Sequence, residues 1–115
     1  MSETGTAVQP VQVTAVIREV ARLVCPLKGV VVAEASRLIN DLGFHSLALV
    51  ELGFNIEDLF GLEAVDPREA MGLSTVGDIV ALVERALAEQ NGRLPTVAEV
   101  SALCERYGAV WNPAA

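Results

Sequence analysis

Apolar side chains recur at the spacing of an α-helix through most of this sequence, and this periodicity restricts the fold strongly. The first such stretch has one apolar residue at each turn: Val13, Ile17, Val20 and Val24. This spacing places the side chains on one face of a helix. Because proline lacks an amide donor and restrains the residue before it, we expect Pro26 to end the helix near Cys25.

The composition also favours helices packed around one core. The chain has 115 residues, which suffice for one domain and would hardly support two independent cores. Hydrophobic residues make up 52% of the chain, but aromatic residues make up only 4%. The core must therefore consist mainly of Val, Leu, Ile and Ala, which suits packed helices.

A second helix is predicted from Ser46 to about Phe60, and Gly61 follows it as a stop signal. Gly53 lies inside this helix and weakens it by about 1 kcal/mol relative to Ala. A long connection, residues 27–44, precedes it, and the Val-Val-Val run at residues 30–32 has the propensity of a strand. Because a lone strand has nothing to pair with, we expect an ordered loop that tucks its apolar side chains under the helices.

Capping signals predict the remaining helices. Asp66 followed by Pro67 is typical of a helix start and predicts a short third helix. Thr-x-x-acid sequences that begin at Thr75 and Thr96 have the spacing of a capping box. The apolar faces behind these boxes are Val76, Ile79, Val80, Val83 and Leu87, and then Val97, Val100, Leu103, Cys104 and Tyr107.

The predicted fold is all-α: a small four-helix bundle with a long first loop and a short third helix, plus an additional C-terminal helix. We assign residues 1–11, which are polar, small and without a pattern, to a disordered tail. Residues 12–90 form the predicted bundle. Residues 91–115 form a C-terminal extension with one helix.

Acidic side chains gather around one serine. The net charge is −7, and residues 38–67 contain six acids and no Lys or Arg. A solvated face that keeps the protein soluble is one reading of such a segment. Because the acids surround Ser46, a docking surface for basic partners is an equally good reading. The same charge disfavours nucleic acid as a partner.

The sequence also bears on location and assembly. No apolar run approaches the roughly 20 residues that a membrane-spanning helix needs, and the N-terminus lacks the features of a secretory signal. We expect a cytoplasmic protein with no membrane partner. Cys25 and Cys104 match no metal-binding spacing, so we expect two free buried thiols. A small acidic bundle is expected to be a monomer.

The second predicted helix has three surfaces when its residues are placed about 100° apart. A wide apolar arc should face the core: Leu49, Leu52, Ile56, Leu59 and Phe60. A polar stripe consists of Glu51, Asn55 and Asp58. A second apolar set, which we name the docking strip, consists of Leu47, Val50 and Phe54, with Glu57 beside it. One helix of a small bundle rarely buries two sides, so the strip should be partly exposed to a partner protein, unless the third or last helix covers it.

Ser46 begins this helix next to the single histidine, His45. A serine in this position is most often an N-cap, which contributes about 1 kcal/mol. A hydrolase is disfavoured, because adjacent side chains do not face each other on a helix and the sequence GFHSL does not fit the G-x-S-x-G pattern. A metal site at His45 is disfavoured too, since no second histidine or nearby cysteine completes it. We therefore identify no catalytic residues.

The sequence DLGFHSLALVELGFNIEDLFG, residues 41–61, resembles the attachment segment of acyl carrier proteins. TVGDIVALV, residues 75–83, resembles the start of that family's last helix, and the resemblance covers roughly residues 13–89. It implies that Ser46 carries a 4′-phosphopantetheine arm, which a phosphopantetheinyl transferase takes from coenzyme A and whose thiol holds acyl groups. Gly43, His45 and Leu47 are the neighbouring positions of this cofactor site. The positive N-terminal end of a helix suits a phosphodiester.

The resemblance also implies partners. The positions that such carriers present to partner enzymes are Leu47, Val50, Glu51, Phe54, Glu57 and Asp58. The implied partners are the transferase and acyl- or aminoacyl-loading, ketosynthase-type or other biosynthetic enzymes with basic docking surfaces. His45 stands where most acyl carriers have an aspartate that helps the transferase hold magnesium, and His-Ser-Leu is familiar from peptidyl carrier domains. The extension from about Asn91 is a second departure.

These observations predict a discrete carrier protein and not an enzyme. The carrier would pass thioester-bound intermediates among biosynthetic enzymes, in polyketide or other specialised-metabolite biosynthesis. Two alternatives stay open. One is a peptidyl carrier with aminoacyl cargo, and the other is an unmodified helical interaction module that keeps the carrier fold and uses Ser46 only as a cap.

Overall fold

The computed structural model describes residues 6–63 and 72–111. Its regular structure consists of a short 3-10 helix, Pro10–Gln12, and four α-helices. The α-helices are α1 (Val13–Val24), α2 (Ser46–Phe60), α3 (Val76–Ala88) and α4 (Val97–Arg106). Two isolated bridges, Ala7 with Thr96 and Arg37 with Thr75, are the β pairing within the described ranges. The prediction of an all-α fold is confirmed.

Helix α1 lies in the middle of the bundle and packs against α2, α3 and α4. Its predicted apolar face is buried, and so are its neighbours Val16, Ala21 and Leu23. The helix ends at Val24, as Pro26 predicts. Cys25 follows as the C-cap, and its thiol donates a hydrogen bond to the carbonyl of Leu42 at 3.0 Å. The buried first helix is thereby joined to the segment that leads to α2.

The connection between α1 and α2 is an ordered loop, as predicted. Leu38, Leu42 and Phe44 are buried in the core, and Val30 and Val32 pack against it. The amide of Leu38 donates to the carbonyl of Ser74 at 2.8 Å, and the amide of Val76 donates to the carbonyl of Ser36 at 3.0 Å. These bonds hold the loop against the start of α3.

Both predicted capping boxes are present. The hydroxyl of Thr75 accepts a hydrogen bond from the amide of Asp78 at 3.1 Å, and that of Thr96 accepts from the amide of Glu99 at 3.0 Å. The predicted core residues of α3 and α4 are buried or half-buried, with one exception. Tyr107 was expected on the apolar face of the last helix, but it is the C-cap of α4 and is 37% exposed. Its hydroxyl reaches α2 instead of the core.

The assignment of residues 1–11 to a disordered tail is wrong for residues 6–11. The amide of Val8 donates to the carbonyl of Pro95 at 2.9 Å, and the amide of Val97 donates to the carbonyl of Thr6 at 2.8 Å. Val8 is only 2% exposed. The few apolar residues of this short segment show no helical or strand periodicity, so the sequence could not reveal that Val8 is buried against the start of α4.

The C-terminal extension shares the core of the bundle. Val100, Leu103 and Cys104 belong to the same buried cluster as the residues of α1. The amide of Arg93 donates to the carbonyl of Phe60 at 2.7 Å, which joins the connection before α4 to the end of α2. Cys25 and Cys104 are free and buried, as predicted. Residues 91–111 therefore pack on the bundle as one of its layers.

The predicted short third helix at Asp66 and Pro67 lies outside the described residues. Among the helices that are described, none is both long and apolar enough to cross a membrane.

Candidate functional site

Ser46 is the first residue of α2, and its side chain is exposed. The helix starts at Ser46 as predicted, and its N-cap is His45, so the alternative in which Ser46 is the cap does not hold. The imidazole Nδ1 of His45 accepts a hydrogen bond from the amide of Ala48 at 3.4 Å. The extended backbone of His45 (φ −115°, ψ 176°) directs its ring over the first turn of the helix. The Ser46 hydroxyl is consequently not required as a cap.

The surroundings of Ser46 suit a phosphate group. The first turn of α2 contains no acidic side chain, so no carboxylate opposes the positive N-terminal end of the helix dipole. Backbone amides at a helix start favour a phosphate oxygen for the same reason. An exposed hydroxyl at this place can accept a covalently bound phosphodiester without burying its charge.

The turn before Ser46 is held in one conformation. Gly43 has a φ of +74°, and a Cβ at this position would lie 2.8 Å from Cγ of Leu27. Positive φ and this close approach both favour glycine. Phe44 is buried, and its amide donates to the carbonyl of Leu38 at 2.9 Å. These contacts fix the point from which Ser46 projects.

Asp41 stabilises the same turn. Its carboxylate accepts hydrogen bonds from the backbone amide of Arg37 at 2.7 Å and from the Arg37 guanidinium at 3.2 and 3.3 Å. The amide bond, followed by the guanidinium, lowers the pKa of the Asp41 carboxyl. Asp41 thus stabilises the loop before α2 and is not part of the acidic side of α2.

The docking strip lies on the surface. Leu47, Val50 and Phe54 are 73%, 66% and 73% exposed, which is unusual for three large apolar side chains on one helix face. Glu51 and Asp58 are exposed beside the strip, and Glu57 is half-buried. The last helix, α4, does not cover these apolar side chains, and the start of the predicted third helix lies outside the described residues. The expected exposure of the strip is confirmed, whereas its role in docking stays a prediction.

Tyr107 connects the C-terminal extension to the polar stripe of α2. The hydroxyl of Tyr107 donates a hydrogen bond to a carboxylate oxygen of Glu51 and accepts one from the side-chain amide of Asn55 at 3.1 Å. Partial burial raises the pKa of the Tyr107 hydroxyl, and the hydrogen bond to the Glu51 carboxylate raises it further. A groove beside Phe54 results, lined by Phe54, Asn55, Asp58, Arg106 and Tyr107. The sequence periodicity did not reveal this contact.

An apolar cavity of about 170 Å³ lies on the other side of α2. The described residues that line it come from the long loop, α2, α3 and the segments that flank the undescribed residues: Leu38, Leu49, Leu52, Gly53, Ile56, Glu57, Leu62, Leu73, Ile79 and Leu82. Leu49 follows Ser46 by three residues, so the cavity begins about one helical turn from the serine. Periodicity predicted several of these residues to be in the core but not the cavity, because it indicates which face is buried and not how densely that face is packed.

In the ranges 6–63 and 72–111, no three His, Cys, Asp or Glu side chains gather in a way that could hold a metal ion.

Comparison with known proteins bears directly on Ser46 and its surroundings. The model of the phosphopantetheine attachment site family matches residues 12–83, which include the long loop, α2 and most of α3. The chain belongs to this family of acyl carrier proteins. Members of the family are carriers and not catalysts, and their cofactor is covalently attached 4′-phosphopantetheine. Biosynthetic enzymes and a phosphopantetheinyl transferase are the partners of this family.

Similar proteins include carriers from several bacteria. The acyl carrier protein of Thermotoga maritima is 46% identical over 49% of this chain and 68% of its own length. That of Rhodococcus erythropolis is 34% identical over 64% of this chain and 84% of its own length. The meromycolate extension acyl carrier protein of Mycolicibacterium smegmatis is 32% identical over 85% of this chain and 92% of its own length. This last match covers 98 residues of a chain of 115 and therefore extends past Asn91 into the C-terminal extension.

Proposed function

We propose that this acyl carrier protein bears its 4′-phosphopantetheine arm on Ser46, holds acyl intermediates on it as thioesters and presents them to biosynthetic enzymes. The observation that carries the proposal is the exposed Ser46 hydroxyl at the N-terminal end of α2, whose first turn contains no acidic side chain. The group, when bound, supplies a thiol for thioester formation. In the attachment step, the Ser46 hydroxyl loses its proton, and its Oγ displaces adenosine 3′,5′-bisphosphate from coenzyme A to form a phosphodiester.

The chain's own residues have distinct parts in this function. His45 caps α2 and so holds the first turn in the helical conformation beside the serine. Gly43 and the buried Phe44 fix the approach of the chain to Ser46. The first-turn amides and the helix dipole favour the phosphodiester charge. The roles of these groups are to cap, to position and to stabilise charge. None of them requires proton transfer to or from the acyl group, which is consistent with a carrier.

We propose that the cargo is acyl and not aminoacyl. The cavity behind Leu49 is lined largely by apolar side chains, which favour a hydrocarbon chain over a charged amino group. The names of the relatives, acyl carrier protein and meromycolate extension acyl carrier protein, point to acyl-chain extension as well. The polyketide or specialised-metabolite pathway predicted from His45 and from the extension remains a prediction within this class.

The docking strip is the proposed contact with partner enzymes. Its exposed apolar side chains Leu47, Val50 and Phe54 have carboxylates of Glu51 and Asp58 beside them. An enzyme surface with basic residues around an apolar centre would complement this pattern. We therefore propose as docking residues the six positions that the resemblance to acyl carriers implies: Leu47, Val50, Glu51, Phe54, Glu57 and Asp58.

The unmodified interaction module was the rival hypothesis, and it used Ser46 only as a helix cap. His45 has the capping role instead. A serine that is exposed, and without a hydrogen-bond partner for its hydroxyl among the described residues, supports the carrier over the module.

The deciding experiment is intact-protein mass spectrometry after incubation with coenzyme A and a broad-specificity phosphopantetheinyl transferase. We expect the mass of one phosphopantetheine group to be added to the wild-type chain and none to Ser46→Ala. Ser74→Ala is the matched control, because Ser74 is also exposed and precedes a helix, and it should be modified like wild type. Modification of Ser46→Ala, or none of folded wild type with several transferases, would reject the proposal.

A further inference from the structure

The C-terminal extension places a tyrosine hydroxyl between two side chains of the polar stripe on α2. The Tyr107 hydroxyl binds both the Glu51 carboxylate and the Asn55 amide. A carboxylate on an exposed helix is otherwise free to adopt several rotamers, and fixing it has an entropic cost on binding. Tyr107 thus fixes the orientation of the Glu51 carboxylate, beside the docking strip, before a partner binds.

The same tyrosine changes the shape of the surface. With Phe54, Asn55, Asp58 and Arg106, its ring lines a groove next to the docking strip. Phe54 is 73% exposed, so its ring forms one apolar side of the groove. An isolated α2 would present a ridge at this position. Because the end of α4 lies alongside, the surface becomes a groove between two helices.

The groove lies within reach of any enzyme that acts at Ser46. Phe54 follows Ser46 by eight residues in one helix, which corresponds to about 12 Å along its axis. A typical protein–protein interface covers about 800 Å² on each partner, a patch roughly 30 Å across. An enzyme that lies along α2 while it reaches the serine therefore covers the groove as well.

We infer that this groove is part of the docking surface for the transferase that acts on Ser46, and that Tyr107 is a positioning residue for Glu51, which lies one helical turn before the groove residue Asn55. The occupant is an enzyme surface that presents an apolar side chain to Phe54 and Tyr107 and a basic side chain to Glu51. Charge complementarity supports this occupant, because Glu51 and Asp58 are exposed on α2, which contains no Lys or Arg, and Arg106 of α4 is the one basic side chain among the described residues of the groove. The inference rests on the proposed function of Ser46.

Steady-state kinetics of phosphopantetheine transfer to the full-length chain test the inference, with coenzyme A and the broad-specificity transferase. Tyr107→Phe removes both hydrogen bonds and keeps the ring, and it should raise KM for the carrier by roughly three- to tenfold with kcat unchanged. Tyr107→Ala also removes one side of the groove and should raise KM further. Val110→Ala is the matched control in the extension, since Val110 is 84% exposed outside the groove, and its KM should equal that of wild type.

A double-mutant cycle separates positioning from a general structural effect. If Tyr107 acts through Glu51, then Tyr107→Phe should raise KM much less in a Glu51→Gln background than in wild type. Circular dichroism of each variant checks that the helices are retained, and Tyr107→Phe decides the question if Tyr107→Ala is not folded. Transfer to wild type with an unchanged or lower KM for Tyr107→Phe, or additive effects with Glu51→Gln, overturns the inference alone. Absence of transfer to folded wild type overturns the proposed function and the inference together.

Discussion

Nδ1 of His45 accepts a hydrogen bond from the amide of Ala48 at 3.4 Å, so the residue before Ser46, the proposed attachment site, and not the serine itself, caps α2. This arrangement separates two tasks that the sequence places side by side. The histidine accepts the hydrogen bond of a first-turn amide, and the serine hydroxyl remains available for the proposed attachment of the cofactor. Substitutions at the two positions should therefore have different consequences.

His45→Ala should lower the free energy of unfolding by about 1 kcal/mol, because the amide of Ala48 loses its acceptor. His45→Asp and His45→Asn supply another cap acceptor and should stay close to wild type. Ser46→Ala should unfold at nearly the same denaturant concentration as wild type. Urea unfolding followed by circular dichroism measures all four variants, and equal midpoints for His45→Ala and wild type would show that the cap contributes nothing.

Acid should weaken the fold at the start of α3. The Asp78 carboxylate accepts hydrogen bonds from the amides of Ser74 at 2.8 Å and Thr75 at 3.1 Å, and these lower its pKa below the ordinary 3.8. A carboxyl with a lowered folded-state pKa contributes stability above its unfolded pKa, and this contribution is lost as the pH falls through the folded value. Asp41 and Glu99, whose pKa values are also lowered, act in the same direction.

Asp78→Asn isolates this contribution, because its side chain cannot titrate. Wild type should be more stable than Asp78→Asn at about pH 7, and the difference should shrink as the pH falls below about 4. Urea unfolding at a series of pH values between these limits measures it. A difference that stays constant over the series would mean that Asp78 does not supply the titrating interaction.

Leu103→Ala should destabilise the whole bundle by about 2–5 kcal/mol, because Leu103 of α4 is buried in the core that α1 also forms. One cooperative unfolding transition is expected for both proteins. Val110→Ala, at an exposed position of the same extension, should have almost no effect. If Leu103→Ala left the main transition unchanged, the extension would be a separate appendage and not a layer of the bundle.

Acyl cargo should stabilise the loaded carrier through the cavity behind Leu49. Each methylene group that enters the cavity contributes up to about 0.8 kcal/mol, so an octanoyl thioester should raise the midpoint of thermal unfolding more than an acetyl thioester does. A glycyl thioester serves as the aminoacyl control and should give no such increase. Equal midpoints for the octanoyl and glycyl forms would remove the support that the cavity lends to acyl cargo.

Much of the site was predictable because it depends on local sequence. Periodicity and capping residues located all four described helices, with α2 starting at Ser46 and ending before Gly61. The angular spacing of Leu47, Val50 and Phe54 predicted an apolar face away from the core, and these side chains are exposed. The motif around Ser46 indicated the family to which the chain belongs. Each of these inferences uses residues within one or two turns of one another.

The tertiary structure alone decided what joins distant parts of the chain. Val8 is buried against the start of α4, and Tyr107 binds Glu51 across 56 residues of sequence. The identity of the cap, His45 instead of Ser46, also needed the backbone geometry. Helical periodicity determines which face of a segment is apolar, since that depends on 3.6 residues per turn. Which segment covers that face, and which polar groups then meet, depends on how all the helices pack together around one shared core.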